Sequence, residues 1–115
     1  MAELLMQEVS SQLRHYGETH YFYSLDPHFR FEYVCSAVER LWGRSFLSLK
    51  GKVIWDEFPS AKEDEGYARH VAAMHERMLQ RYSLFLPQFQ RRYCFTLRPL
   101  TSGSLYCFFE EERAN

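Results

Sequence analysis

Acid–base or nucleophilic chemistry in this 115-residue chain would have to be assembled from His20, His28, His70, Asp56 and Glu57, or from the thiols of Cys35, Cys94 and Cys107. No nucleophile elbow, HExxH helix or glycine-rich phosphate loop organises them. Asp56 and Glu57 are adjacent, and adjacent helix positions point about 100° apart, so the two carboxylates do not converge on one substrate. The cysteines are odd in number and widely spaced, with no C-x-x-C; neither a disulfide framework nor a metal site is indicated, and a reducing compartment suits them. Lys50 with Lys52, and Arg91 with Arg92, are short basic runs offset by nearby acids, which is no footprint for nucleic acid. What the chain has in quantity is aromatic surface, since Phe 10, Tyr 8 and Trp 2 make up 17% of it. Trp42, Trp55, Phe58, Tyr67, Val71, Met74 and Met78 are the set to watch: such residues bind an apolar or aromatic molecule, or simply fill a core.

Those residues sit on elements that the hydropathy pattern sets out. From Ala2 to about Tyr16, Leu5, Val9, Leu13 and Tyr16 recur at three- and four-residue steps and predict an amphipathic helix stopped by Gly17. His20–Leu25 and Phe29–Val34 read as a strand hairpin about the turn Asp26-Pro27-His28. A short helix follows, opened by a capping box of Ser36 and Glu39 and closed at Gly43. Ser45–Lys50 and Val53–Phe58 each support about one helical turn, ending at Gly51 and Pro59. Between Glu65 and Leu79 the stripe Tyr67, Val71, Met74 and Met78, spaced 4, 3 and 4, predicts a long helix; His70 and His75 fall about 60° to either side of it, at the solvent boundary. The period then changes to two, and Arg81–Leu86, Arg91–Arg98 and Ser104–Glu110 read as three strands of a meander.

Length and composition narrow the class of protein. With 46% apolar and 25% charged residues, the chain is one ordinary globular domain. A formal charge of −1 provides no electrostatic footprint for polyanions or an anionic membrane. No apolar run approaches eighteen residues, and Glu3 and Glu8 stand where a secretory signal has its basic head, so a cytoplasmic protein is expected.

Two paired strands, inserted helices and a three-strand meander make an α+β arrangement: a five-stranded antiparallel sheet with its helices on one face. The residues resemble the PAS family. LDPHFRFEYVCSAVERLWGRSFLSLKGKVIWDEFPSA, with its Leu41-Trp42-Gly43-Arg44 run and its Gly51 to Pro59 run, is similar to the front half of PAS domains, and LRPLTSGSLYCFFEEER to their closing meander. The resemblance covers roughly Thr19 to Glu112. It divides the chain into an N-terminal helix, residues 1–17, and a PAS-like domain, residues 18–112. Cys35 replaces the Asn that usually opens the helix after the second strand, and Glu110-Glu111-Glu112 replaces the usual Asp-Ile-Thr, so output is expected through the N-terminal helix or a partner.

The family layout sets the helical aromatic set against Phe31, Tyr93, Phe95 and Phe108 on the sheet, around the gap that holds a ligand in PAS sensors. Neither haem nor flavin is expected. Asp64 stands where oxygen-sensing members carry the iron-ligating His, and the Asn-Cys-Arg-Phe-Leu-Gln run of light-sensing members has no counterpart. The reading is a non-enzymatic sensory module for a small apolar or aromatic ligand or a protein partner. The alternative is a small α+β enzyme, thioesterase- or isomerase-like, which would show itself by His20, His70, Asp56 or Glu57 pointing inward. The last strand is apolar on both faces. With Tyr106 and Phe108 toward the helices, Leu105, Cys107 and Phe109 need cover from the N-terminal helix stripe, which predicts a homodimer through Leu5, Val9, Leu13, Tyr16, Leu105 and Phe109.

Overall fold

The computed structural model describes residues 20–112. The predicted N-terminal helix, with Leu5, Val9, Leu13 and Tyr16, lies outside them. Strand β1 (His20–Leu25) runs antiparallel to β2 (Phe31–Val34). The turn between them is built by Asp26, whose carboxylate accepts the backbone N–H groups of His28 and Arg30 at 2.8 and 2.9 Å and pairs with the Arg30 guanidinium. These bonds hold the Asp26 carboxyl below its usual pKa against the opposing effect of burial.

Helix α1 (Ser36–Trp42) begins one residue earlier than the capping-box pattern requires. Cys35 is its N-cap and makes no side-chain capping bond, so Ser36 is the first helical residue rather than the cap. Glu39 is used elsewhere: its carboxylate accepts the backbone N–H of Phe46 at 2.6 Å, tying α1 to the start of α2 (Phe46–Leu49). Gly43 does close α1, at φ 68°, a left-handed conformation that costs any residue with a Cβ about 1 kcal/mol. Helix α3 (Ile54–Glu57) is followed by a 3-10 turn at Pro59–Glu63, which the periodicity left as a connection. Backbone bonds from Phe31 to Lys52 and from Gly51 to Phe31 lay this segment along β2.

Helix α4 (Glu65–Glu76) is capped by Asp64, whose side chain accepts the Gly66 N–H at 2.8 Å. It stops three residues short of Leu79, at Arg77 in the left-handed conformation with φ 57°, where the Arg77 guanidinium bonds the carbonyls of Met74, Leu100 and Gly103. The buried face of α4 is Gly66, His70, Ala73 and Met74. That corrects the predicted stripe: Met74 belongs to it, Tyr67 and Val71 flank it half-buried, and Met78 is 54% exposed beyond the helix end. His70 is likewise in the core and not at the solvent boundary. Gly66 stands where a Cβ would meet the Tyr82 hydroxyl and Leu84, and Ala73 is fully buried, so small residues hold these points of the helix close to the sheet.

Strands β3 (Gln80–Leu86), β4 (Arg91–Pro99) and β5 (Leu105–Glu111) form the meander, and the five-stranded sheet has the order β2-β1-β5-β4-β3. Its register aligns Tyr82, Phe95, Phe109 and Tyr21 in one row across four strands. Their rings stack with centroids 5.1, 4.9 and 4.8 Å apart and planes within 17° of parallel. Such pairs add about 0.5–1.5 kcal/mol each beyond their burial. The row lies on the helix side, so Leu105, Cys107 and Phe109 face the helices while Tyr106 and Phe108 pack with Phe22 on the opposite face. This reverses the predicted sidedness of β5. Phe108 therefore lies on the sheet face opposite the helices, and Leu105 and Phe109, at 0% and 3% exposure, are core residues rather than interface residues.

Candidate functional site

Between α3, the 3-10 turn, the start of α4 and the β3–β4 hairpin, the inner sheet face is left incompletely covered, and a pocket of about 840 Å³ opens there. Its floor is the aromatic row, through Tyr82, Phe95 and Phe109. Its helix-side wall is Trp42, Ile54, Trp55, Phe58 and Ala61, and Leu84, Leu86 and Phe89 close the hairpin side. Ser60, Glu63, Phe85, Pro87 and Gln88 form an exposed rim.

Of the residues expected from sequence, Trp42, Trp55, Phe58 and Phe95 line this pocket. The others do not. Phe31 is buried against Tyr23, Trp42 and Phe58, behind the wall. Tyr67 packs edge-on against Trp55. Tyr93 stands between Tyr21, Phe89 and Phe109. Met74 is buried on α4, Val71 is half-buried beside it, and Met78 and Phe108 lie elsewhere, as described above.

Sequence reasoning set His70 at the solvent boundary and gave Tyr82 and Asp64 no place in a pocket. His70 is 4% exposed and both of its ring nitrogens are engaged. Nδ1 lies 2.7 Å from the Gly66 carbonyl, which can only accept, so the proton is on Nδ1 and Nε2 accepts the Tyr23 hydroxyl at 2.7 Å. Burial pushes the imidazole down to a pKa of about 4, against the opposing influence of the Gly66 bond, and raises the Tyr23 phenol well above its ordinary value. The pair is neutral. The spacing Gly66, His70, Ala73, Met74 (i, i+4, i+7, i+8) was the available signal, hidden because Gly and His do not register as apolar.

Tyr82 is the second. Its ring belongs to the floor, and its hydroxyl, buried beside Gly66, has no hydrogen-bond partner among the described residues. Burial raises its pKa as well. Asp64 is the third; burial lifts its carboxyl above the usual range although the Gly66 N–H opposes that. The remaining candidates are placed away from the pocket. Asp56 is exposed, Glu57 pairs with Arg44, which lowers its pKa, and His20 pairs with Glu110 at 2.9 Å on the sheet. Among the described residues no group of three or more His, Cys, Asp or Glu side chains is placed to hold a metal ion, and no helix is long and apolar enough to cross a membrane.

Protein-family models and curated protein sequences both give no match to the chain. Solved structures do. The sensory box sensor histidine kinase from Vibrio cholerae superposes with a TM-score of 0.72 at 16% identity, covering 99% of this chain and 94% of that one. The photoactive yellow protein domain of the sensor histidine kinase Ppr from Rhodospirillum centenum gives 0.67 at 13% identity, over 80% of this chain and 84% of that one. The PAS domain of BvgS from Bordetella pertussis gives 0.52 at 14% identity, over 91% and 85%. With the sheet order, the inserted helices and the closing meander all in agreement, the chain has the PAS fold.

Proposed function

We propose that this chain is a sensory module of signal transduction that takes a small, largely aromatic molecule into the pocket between its helices and its sheet. The observation that carries the reading is the pocket itself: about 840 Å³ bounded by nine aromatic side chains, in the range of volumes that enclose small organic ligands. Sensor histidine kinases among the structural neighbours lend the signalling half of the reading its support.

Of the residues named for the enzyme alternative, His20, His70, Asp56 and Glu57, His70 is the one that lines the pocket. With Nδ1 bound to a carbonyl and Nε2 to a phenol, that imidazole has no free valence for proton transfer to a substrate, which favours a binding module. The proposal needs neither haem nor flavin. A cytoplasmic homodimer or a protein partner is part of it, with Leu105 and Phe109 taken out of any interface because they belong to the core.

The test is a thermal-shift screen of small aromatic compounds against the wild type and against Ala61→Trp, which fills the pocket from its helix-side wall. Compounds that raise Tm in the wild type and fail to do so in the filled variant support the reading. A screen with no binder, or binders indifferent to the filling, would overturn it.

A further inference from the structure

The charged side chains that line the pocket are of one sign. Glu63 and Asp64 are the charged side chains among its described lining residues, and neither forms an ion pair with another described residue, although Asp26, Glu57, Glu65, Glu110, Glu111 and Glu112 all do. Two guanidiniums approach lining rings, Arg44 at 6.0 Å from the Phe58 centroid and Arg69 at 5.6 Å from that of Tyr82. Each is neutralised by its own partner, Glu57 or Glu65. His70 adds nothing positive, since its second nitrogen is occupied as an acceptor.

A second observation points to the same end of the pocket. A Cβ added at Gly66 would stand 2.9 Å from Asp64 Oδ1, 3.4 Å from the Tyr82 hydroxyl oxygen and 3.6 Å from Leu84 Cδ2, so glycine lets these two oxygens close on the same point at the start of α4. Tyr82 is 8% exposed and its hydroxyl is without a partner. The pocket beside these oxygens is lined by aromatic rings, a class of side chain whose quadrupole attracts cations.

The geometry points to an organic cation as the ligand class: an aromatic or apolar body seated on Trp55, Phe58 and Phe95, with an ammonium group directed toward Asp64, Glu63 and the Tyr82 oxygen. This rests on the pocket being a ligand site and adds the sign of the ligand's charge. Anionic ligands such as carboxylates are disfavoured, because they would meet the Glu63 and Asp64 carboxylates while the nearby Arg44 and Arg69 guanidiniums are already paired with Glu57 and Glu65.

Three indoles of similar size separate the two claims: tryptamine, which is cationic at pH 7, tryptophol, which is neutral, and indole-3-propionate, which is anionic. Calorimetric titration of the full chain is expected to rank them in that order, with tryptamine about three- to tenfold tighter than tryptophol. Asp64→Asn, in which Asn keeps the helix N-cap, combined with Glu63→Gln is expected to bring the tryptamine-to-tryptophol affinity ratio to within about twofold of one. Tryptophol or indole-3-propionate binding as tightly as tryptamine overturns the charge inference and leaves the pocket reading standing. So does a tryptamine preference that survives the double substitution. Absence of binding by all three at millimolar concentration removes the pocket reading and the charge inference with it.

Discussion

His70 is uncharged in the folded protein because both ring nitrogens are bound and the ring is shut away from water, and that sets a direction for its titration. The unfolded chain takes up a proton at this residue near pH 6.5, whereas the folded one does so only near 4. The stability that depends on the neutral imidazole is therefore complete above 6.5 and falls as the pH drops toward 4, with a slope of up to about 1.4 kcal/mol per pH unit. His70→Gln removes this contribution. Urea midpoints at pH 7.5 and pH 5.0 are expected to differ more in the wild type than in the variant, and an equal difference in both would contradict a buried neutral His70.

At the scale of elements, α4 is positioned by what it lacks as much as by what it carries. Gly66 and Ala73 bring the helix onto β3 and β4, and Met74 fills the remaining space. Ala73→Asp places an unpaired carboxylate at a fully buried position and is expected to cost several kcal/mol or to prevent folding. Met78→Asp, at a position 54% exposed, should cost well under 1 kcal/mol. Comparable losses in Tm for the two would show that the buried face has been misassigned. The helix ends are separable from its packing. Gly43 has open space around the position of a Cβ, so Gly43→Ala tests backbone strain alone; a loss of about 1 kcal/mol in urea denaturation is expected, with Gly43→Asn losing less because Asn tolerates the left-handed region.

The molecule as a whole is organised around the aromatic row, which serves at once as the centre of the core and as the pocket floor. Phe109 stacks between Tyr21 and Phe95 and meets Tyr93 edge-on, while Phe108, one residue earlier, packs on Phe22 across the other face. Phe109→Ala is expected to cost about 3–5 kcal/mol, since it opens a cavity in the middle of that row. Phe108→Ala, at a half-buried site, should cost less than half as much. Chemical denaturation of the two variants decides which face of β5 belongs to the core, and a larger loss for Phe108 would reverse the sidedness described here.

Alternation of period, the turn at Asp26-Pro27-His28, the stop at Gly43 and the change from helical to strand spacing after residue 79 were legible because local backbone preferences settle them. The element order, and with it the PAS arrangement, followed. The wall residues Trp42, Trp55 and Phe58 were legible for the same reason: large aromatics on short inserted helices have only the sheet to pack against. Which face of β5 points inward was not. Leu105-Tyr106-Cys107-Phe108-Phe109 is apolar at every position, so no contrast in the strand itself distinguishes the faces, and the register with Tyr21, Phe95 and Tyr82 made the choice. The place of His70 was equally a tertiary outcome. Its burial is repaid only by partners remote in sequence, such as the Tyr23 hydroxyl 47 residues away, or hidden in the backbone, such as the Gly66 carbonyl, and hydropathy registers neither.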